Sequence, residues 1–371
     1  METVVFDVAV EPLFNFLSGE YAELFACSRA TAFQHPKWLD AVYRRLLPRT
    51  AAPLIITVRR EGRLTMTLPL VRRRYGTLRA VEFADFGVSD YASPVASESE
   101  SVAILNDRNA CARIKAAMKP FDVLRIQKLR DDSLPLEHLL GAPSRVAMPM
   151  SAHAVPLSVD YAAWRAEKIS ASYRKELDKK SRQLHRKGTI AFTCVTDPEA
   201  IRATFEKMKA YRGPRFGDGD LLQNPAYFDF YLDIATQDTI ARLYRLTLDG
   251  SPIAGVLGLS HNGRFLVILG GFDLTNHKNQ SLGSLTFEMV ARHCIEMGDT
   301  VLDFTIGDEP YKSLFGAQAT PVYQISRSGS LLGAVAGVAV EQLPWLKNAA
   351  KRFLQLRPAP AAIATREATR T

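Results

Sequence analysis

Two acid-glycine pairs constrain this chain more than any other feature. Glu61-Gly62 separates PLIITVRR from RLTMTLPLVRR, and Asp249-Gly250 separates IARLYRLTL from SPIAGVLGLS. Two β-rich runs around such a pair read as an antiparallel hairpin. The flanking pattern also recurs. In the first half, helical patterning at 13–26 and 36–47 precedes the hairpin, and a strand at 78–83, a helix at 106–119 and a strand at 123–127 follow it. In the second, a basic helix at 170–187, a strand at 189–195 and helices from 197 and 225 lead in. A strand at 264–272, a helix at 281–297 and a strand at 301–306 lead out. No residue-level repeat accompanies this order, which by itself predicts two copies of one mixed α/β unit.

Length agrees, because 371 residues exceed what one ordinary core organises. The net charge of +8 is concentrated. Between 165 and 187, nine Lys and Arg stand against three acids; from 341 to the end, six stand against two. Such clusters suit phosphates, anionic lipid or acidic polysaccharide, and equally a solvated helix face. Cysteines at 27, 111, 194 and 294 form no CxxC pair, so a reduced, cytosolic protein without structural zinc is expected. The seven histidines never adopt HxH or HxxxH spacing and no G-x-S-x-G occurs, which argues against a metal site and a serine nucleophile. The N-terminus lacks a basic n-region, and the longest apolar run, 331–340, is too short to span a bilayer.

Chemistry concentrates at two places. The strand VLDFTI runs directly into GDEPYKSLFGA, placing Asp308, Glu309, Tyr311 and Lys312 where a strand end feeds a crevice. Asp303 interrupts the apolar strand, and a polar face looking into that crevice is the expectation. The second place is the loop NHKNQSLGS, 276–284, before a helix. It offers donors, one cation, a glycine and no acid, as a phosphate cradle at a helix N-terminus requires. Ser281 or Ser284 as an ordinary N-cap fits the same residues.

The segments SYRKELDKKSRQLHRKG, LDGSPIAGVLGLSHNGR, GGFD, SLGSL and LDFTIGDEPYKSLFGA resemble the CelD-like branch of the GNAT superfamily, acyltransferases of cellulose and exopolysaccharide biosynthesis related to FemAB-type double-GNAT proteins. TAFQHPKWLDAVYRRL and FGVSDYASPV extend the resemblance over roughly 30–330. SLGSL departs from the family's Ser-Pro-Gly-like loop, and Leu314-Phe315 stands where Arg-Trp or Arg-Phe is commoner; these departures bear on substrate detail more than on the fold.

The resemblance implies an α/β protein of two tandem GNAT-like domains, each a mostly antiparallel sheet flanked by helices. These are domains at 1–155 and 156–330, the second catalytic; the first is expected to lack its own cofactor site because no glycine-containing loop opening a helix follows the strand before Asp85-Phe86-Gly87, and composition gives a basic amphipathic tail at 331–371 that packs on the body or a membrane face and is disordered after about 358. It implies acetyl-CoA or another acyl-CoA as co-substrate, held by Gly271, Phe272, Lys278, Gln280, Ser281, Leu282, Gly283 and Ser284. Asp308 or Asp303 is then the base, Tyr311 the acid, and Lys312 a catalytic cation or a clamp for phosphate or sugar carboxylate. Asp273, Glu309, Asp90 and Tyr91 line the acceptor side.

The expected acceptor is an anionic glycan or lipid-linked sugar, with peripheral contact to a membrane or polysaccharide synthase. Two alternatives stay open: an aminoacyl-tRNA-dependent transferase of FemAB type, for which tRNA is the one nucleic-acid partner, and a catalytically inactive scaffold.

Overall fold

The computed structural model describes residues 5–236 and 240–334, so the expectations for the tail beyond 334 lie outside the described residues. The first half runs β1 (Phe6–Val10), α1 (Gly19–Ala26), α2 (Pro36–Ala41, prolonged by a π-type turn to Leu46), β2 (Ala51–Arg60), β3 (Arg63–Tyr75), β4 (Leu78–Phe83), β5 (Val95–Ala96), α3 (Glu98–Asn106), α4 (Arg108–Ala117), β6 (Val123–Arg130), α5 (Leu136–Leu140) and β7 (Arg145–Pro156). The second runs α6 (Tyr161–Lys168), α7 (Ala171–His185), β8 (Ile190–Val195), α8 (Pro198–Phe216), α9 (Pro225–Ala235), β9 (Ala241–Leu248), β10 (Ser251–His261), β11 (Arg264–Phe272), α10 (Leu282–Glu296), β12 (Val301–Ile306), α11 (Tyr311–Leu314) and β13 (Gln318–Ser328).

Both hairpins form where the acid-glycine pairs predict them. Glu61 and Gly62 have φ of 53° and 79°, Asp249 and Gly250 of 48° and 78°. Two successive residues at positive φ give the turn whose twist matches that of the strands. Side-chain caps set most helix starts, Asp107, Asp160, Ser170, Asp197 and Asn224 among them.

The strands join in one mixed sheet of order β1-β2-β3-β4-β6-β13-β7-β12-β11-β10-β9-β8, with β5 beside β3. Each half has an antiparallel meander followed by a parallel pair, β4 with β6 and β11 with β12. The halves exchange their last strands. β7 pairs with β12 of the second half, and β13 crosses back to pair with β6 of the first. The two exchanged strands also pair with each other.

Several elements differ from expectation. β7 and β13 were not foreseen, nor were α3 and α6. The first helix starts only at Gly19, where Ser18 caps it. α8 runs through Pro214 to Phe216 instead of ending near 211. Its last turn is held by Arg212, which donates to Asp220 and, at 2.6 Å, to the Gly270 carbonyl.

A shared core joins the halves. Trp38, fully buried, meets the Phe230 ring edge-on at 5.0 Å, a geometry aromatic pairs prefer. On the same face α8 crosses β10 and β11 at Gly255 and Gly271, which oppose each other in the ladder. A Cβ at Gly271 would stand 2.8 Å from the Met208 Cα, so Gly271 admits the helix and does not face the 276–284 loop. Gly271→Ala is expected to cost about 1–3 kcal/mol in urea denaturation, whereas Ala at Gly283, whose nearest neighbour would be 3.7 Å away, should stay within about 0.5 kcal/mol of wild type or exceed it.

Candidate active site

β11 and β12 pair over only three residues each, Arg264↔Val301 to Leu266↔Asp303. Beyond these they diverge, because both strands are bulged. Opposite Leu257 and Gly258, β11 skips from Leu269 to Val267, leaving Ile268 unpaired. β12 breaks register with β7 between Asp303 and Ile306, with Thr305 at φ 56°. Thr305 Oγ1 donates to the Val267 carbonyl at 3.2 Å, tying the two walls at the apex of the notch. A bulge re-aims backbone groups, and here it opens a wedge between adjacent strands.

From the mouth of the wedge, β11 leads through the 276–284 loop into α10. Asp273 is buried and its carboxylate accepts from Asn276 N at 3.1 Å and Nδ2 at 2.9 Å, fixing the first turn of the loop. Lys180, on the basic helix α7, donates to the Asn279 carbonyl at 2.6 Å. Lys278 is exposed and Gln280 half-buried. Ser281 sits at the N-cap position with φ 50°, and its side chain caps nothing. The amides of Leu282, Gly283 and Ser284 therefore open a fifteen-residue helix with no side-chain acceptor among the described residues. This excludes the ordinary-cap alternative for Ser281, and Ser284 lies inside the helix.

Free amides, the positive end of the helix and an acid-free loop fit a pyrophosphate group. The Phe272 ring lies beside Gly283 and meets Phe287 edge-on at 5.7 Å.

The other wall turns at Gly307, whose φ of 125° favours glycine. Asp308 keeps 54% of its side chain exposed; its Oδ1 accepts from Ser151 N at 3.2 Å and lies 2.9 Å from His153 Nε2. His153, on β7, is buried, and its Nδ1 has no partner among the described residues. Sequence reasoning passed over it, since the strand carrying it was unread. Tyr311 opens α11 with its ring stacked on Phe287 at 5.1 Å and 8° and edge-on to Phe304 at 5.8 Å. It thus bridges α10 and β12. Burial first, and then the Glu309 carboxylate, push its hydroxyl well above the usual tyrosine range, so it holds its proton at neutral pH.

Other sequence candidates are placed differently. Lys312 is 2% exposed and its Nζ meets the Gly307 and Thr305 carbonyls at 2.8 and 3.3 Å and Glu309 Oε2 at 3.0 Å. A buried ammonium with these partners anchors the turn. Asp303 is 1% exposed: Arg264 Nη1 donates to Oδ2 at 2.8 Å, and the Tyr91 hydroxyl and Thr305 N donate to Oδ1 at 2.9 and 2.8 Å. Its expected polar face is thus satisfied inside the protein.

Tyr91, buried, is the far end of this strut between the halves, 212 residues away in sequence. Asp90 remains nearer the surface, 4.0 Å from Lys128, which also pairs with Asp85 at 2.9 Å. Among the described residues no three His, Cys, Asp or Glu gather as a metal set, and no helix is long and apolar enough to cross a membrane.

With this geometry in place, the comparisons are informative. Residues 171–313 match the family model for the acetyltransferase (GNAT) domain. No curated protein matches the sequence. Among solved structures, FemX superposes on 89% of this chain and 99% of its own at 14% identity, with a TM-score of 0.57. The C-terminal domain of a putative lysylphosphatidylglycerol synthetase from Agrobacterium fabrum covers 87% of this chain and 95% of its own, at 13% identity and TM-score 0.55. A tandem GNAT protein from the clavulanic acid biosynthesis pathway covers 88% and 99%, at 14% identity and TM-score 0.51.

The fold is thus a tandem GNAT-like fold, a mixed α/β sheet flanked by helices, and the match to the acetyltransferase (GNAT) domain falls in its second half. Breaking the strut tests the structural place given to Asp303. Asp303→Ala strands a guanidinium and a buried phenol and should cost about 3–5 kcal/mol in urea denaturation; Asp308→Ala, half exposed, should cost under about 1 kcal/mol. Equal costs would contradict it.

Proposed function

We propose that this protein transfers an acyl group, acetyl in the first instance, from an acyl-CoA to a hydroxyl or amine of a polysaccharide or cell-envelope precursor, as CelD-like acetyltransferases do. One observation carries the reading: the uncapped N-terminus of α10 stands at the mouth of a wedge between two bulged strands, with Tyr311 packed between α10 and β12 beside it.

When bound, the thioester supplies an activated acyl group. The amides of Leu282, Gly283 and Ser284 are the groups to hold its phosphates, with Lys278 and Lys180 alongside. The backbone at the Ile268 bulge offers N–H donors to a carbonyl oxygen in the wedge. Asp308, supported by His153 and Ser151 N, is the carboxylate positioned to accept the acceptor's proton, and the Tyr311 hydroxyl holds a proton for the leaving sulfur.

Confinement of the donor to the second half is supported by α3. Ser97 caps it and Glu98 and Glu100 occupy its first turn, which is unfavourable for an anion. Asp85, Asp90 and the Tyr227 hydroxyl on the Phe86 carbonyl line the seam between the halves and suit a polar acceptor.

A second reading, transfer from an aminoacyl-tRNA, is favoured by α7. Lys175, Lys179, Arg182 and Arg186 are exposed at helical spacing on the helix that grips the 276–284 loop. Its neighbours by fold include FemX.

Calorimetric titration with acetyl-CoA and longer acyl-CoAs separates these readings. Saturable binding to wild type and to Tyr311→Phe, lost in Gly283→Glu, is the expected result. Tyr311→Phe should then release thiol about a hundredfold or more slowly without losing stability, since its hydroxyl has no partner among the described residues. Absence of acyl-CoA binding together with salt-sensitive RNA binding would transfer the case to the second reading.

A further inference from the structure

We propose that the seam between the two halves carries a second ligand site, for a small organic anion. Its phosphate or carboxylate head sits among Arg29, Arg130, Arg264 and His261, and its compact apolar body fills the adjoining cavity. Two cavities meet here. The smaller, about 120 Å³, is lined by these four residues with Thr31 and Asn262, and no acidic residue lines it among the described residues. The larger, about 300 Å³, shares Arg29, Thr31 and Arg130 and is otherwise mainly apolar, with Ala92, Pro94, Ala96, Val102, Leu105 and Leu134 in its wall.

The cationic residues come from both halves and are only partly engaged. Arg264 keeps 29% of its side chain exposed and donates to Asp303 through Nη1; Arg130 keeps 26% and donates to Asp132 through Nη2, and no other carboxylate bond is made by either among the described residues. Arg29 pairs with Glu98 at the surface, at 2.7 Å. Glu98 and Asp132 line the larger cavity but not the smaller. Three arginines thus line one pocket, two of them with a single fork nitrogen engaged by a carboxylate among the described residues, and guanidinium forks match phosphate or carboxylate oxygens. His261 adds an independent sign. Its ring packs on Phe25 at 4.5 Å, and its Nε2 is buried with no partner among the described residues. A buried polar nitrogen without a partner is costly, and a turn of the ring that brings it onto a ligand in the adjoining cavity would relieve that cost.

The site is distinct from the donor wedge. It shares no residue with the 276–284 loop, and Arg264 precedes the Ile268 bulge by four strand residues, roughly 13 Å. It is nonetheless tied to the wedge. Arg264 and the Tyr91 hydroxyl both hold Asp303, and Arg130 lies over the Tyr91 ring at 5.6 Å. A bound anion would therefore bridge the two halves beside the strut.

The test uses the full chain, with phenyl phosphate, benzoate and inorganic phosphate as probes, titrated by calorimetry into wild type, Arg29→Glu, Val102→Trp and Gly283→Glu. Arg29 and Val102 are exposed, so both variants should melt as wild type does. Saturable binding of phenyl phosphate or benzoate is expected, and which binds identifies the head group. Arg29→Glu should weaken it roughly tenfold or more. Val102→Trp should weaken the aromatic probes but not inorganic phosphate, and Gly283→Glu should change none of them. Failure of both aromatic probes to saturate wild type, equal affinities in Arg29→Glu, or loss in Gly283→Glu would each overturn the proposal.

Discussion

The ladder between β7 and β13 is the constraint on which the rest of the molecule depends. Each half of the chain would end its sheet at an open edge, and an open edge is a liability. Here each half gives its last strand to the other, so β6-β13-β7-β12 closes both edges with backbone bonds. The halves are consequently one sheet, and the position of β12 is set by a strand from the first half as much as by β11.

The wedge follows from that placement. β7 holds β12 through Val155 and Ala154 opposite Leu302 and Asp303, and then breaks register. The Asp303 strut to Arg264 and Tyr91 fixes β12 from its other face, and buried Lys312 gathers the carbonyls of the turn that follows. These buried charges hold a strained backbone open; strain of this kind persists only where surroundings over-determine it. Tyr311 packs between α10 and β12, Asp308 stays half exposed against β7, and the amides of an uncapped helix open where β11 ends.

Much of this was legible in the sequence, and the failures share a cause. Glu61-Gly62 and Asp249-Gly250 announce their hairpins because the turn demands positive φ. The strands β4, β11 and β12 announce themselves by apolar, β-branched runs. β7 reads RVAMPMSAHAVP and β13 reads QATPVYQISRS, with internal proline, small residues and few β-branched residues in β7. They lie at the centre of the sheet, but each is only partly covered, so no periodic burial signal marks them. His153 was lost with β7. Asp303 and Lys312 were picked out by chemical type, but their partners come from Arg264, Tyr91 and the turn's own carbonyls, which spacing does not reveal. Ser281 illustrates the same limit: a serine before a helix usually caps it, and only its left-handed backbone shows that here it does not.

The central claim is that the wedge between β11 and β12, with the open end of α10 at its mouth, is where the acyl donor binds. Amide hydrogen exchange of the full chain with and without acetyl-CoA tests it most directly. The account predicts new protection at 267–272 and 281–285, with little change in the β2–β3 hairpin. Protection absent from both segments, or centred on the first half, would contradict it.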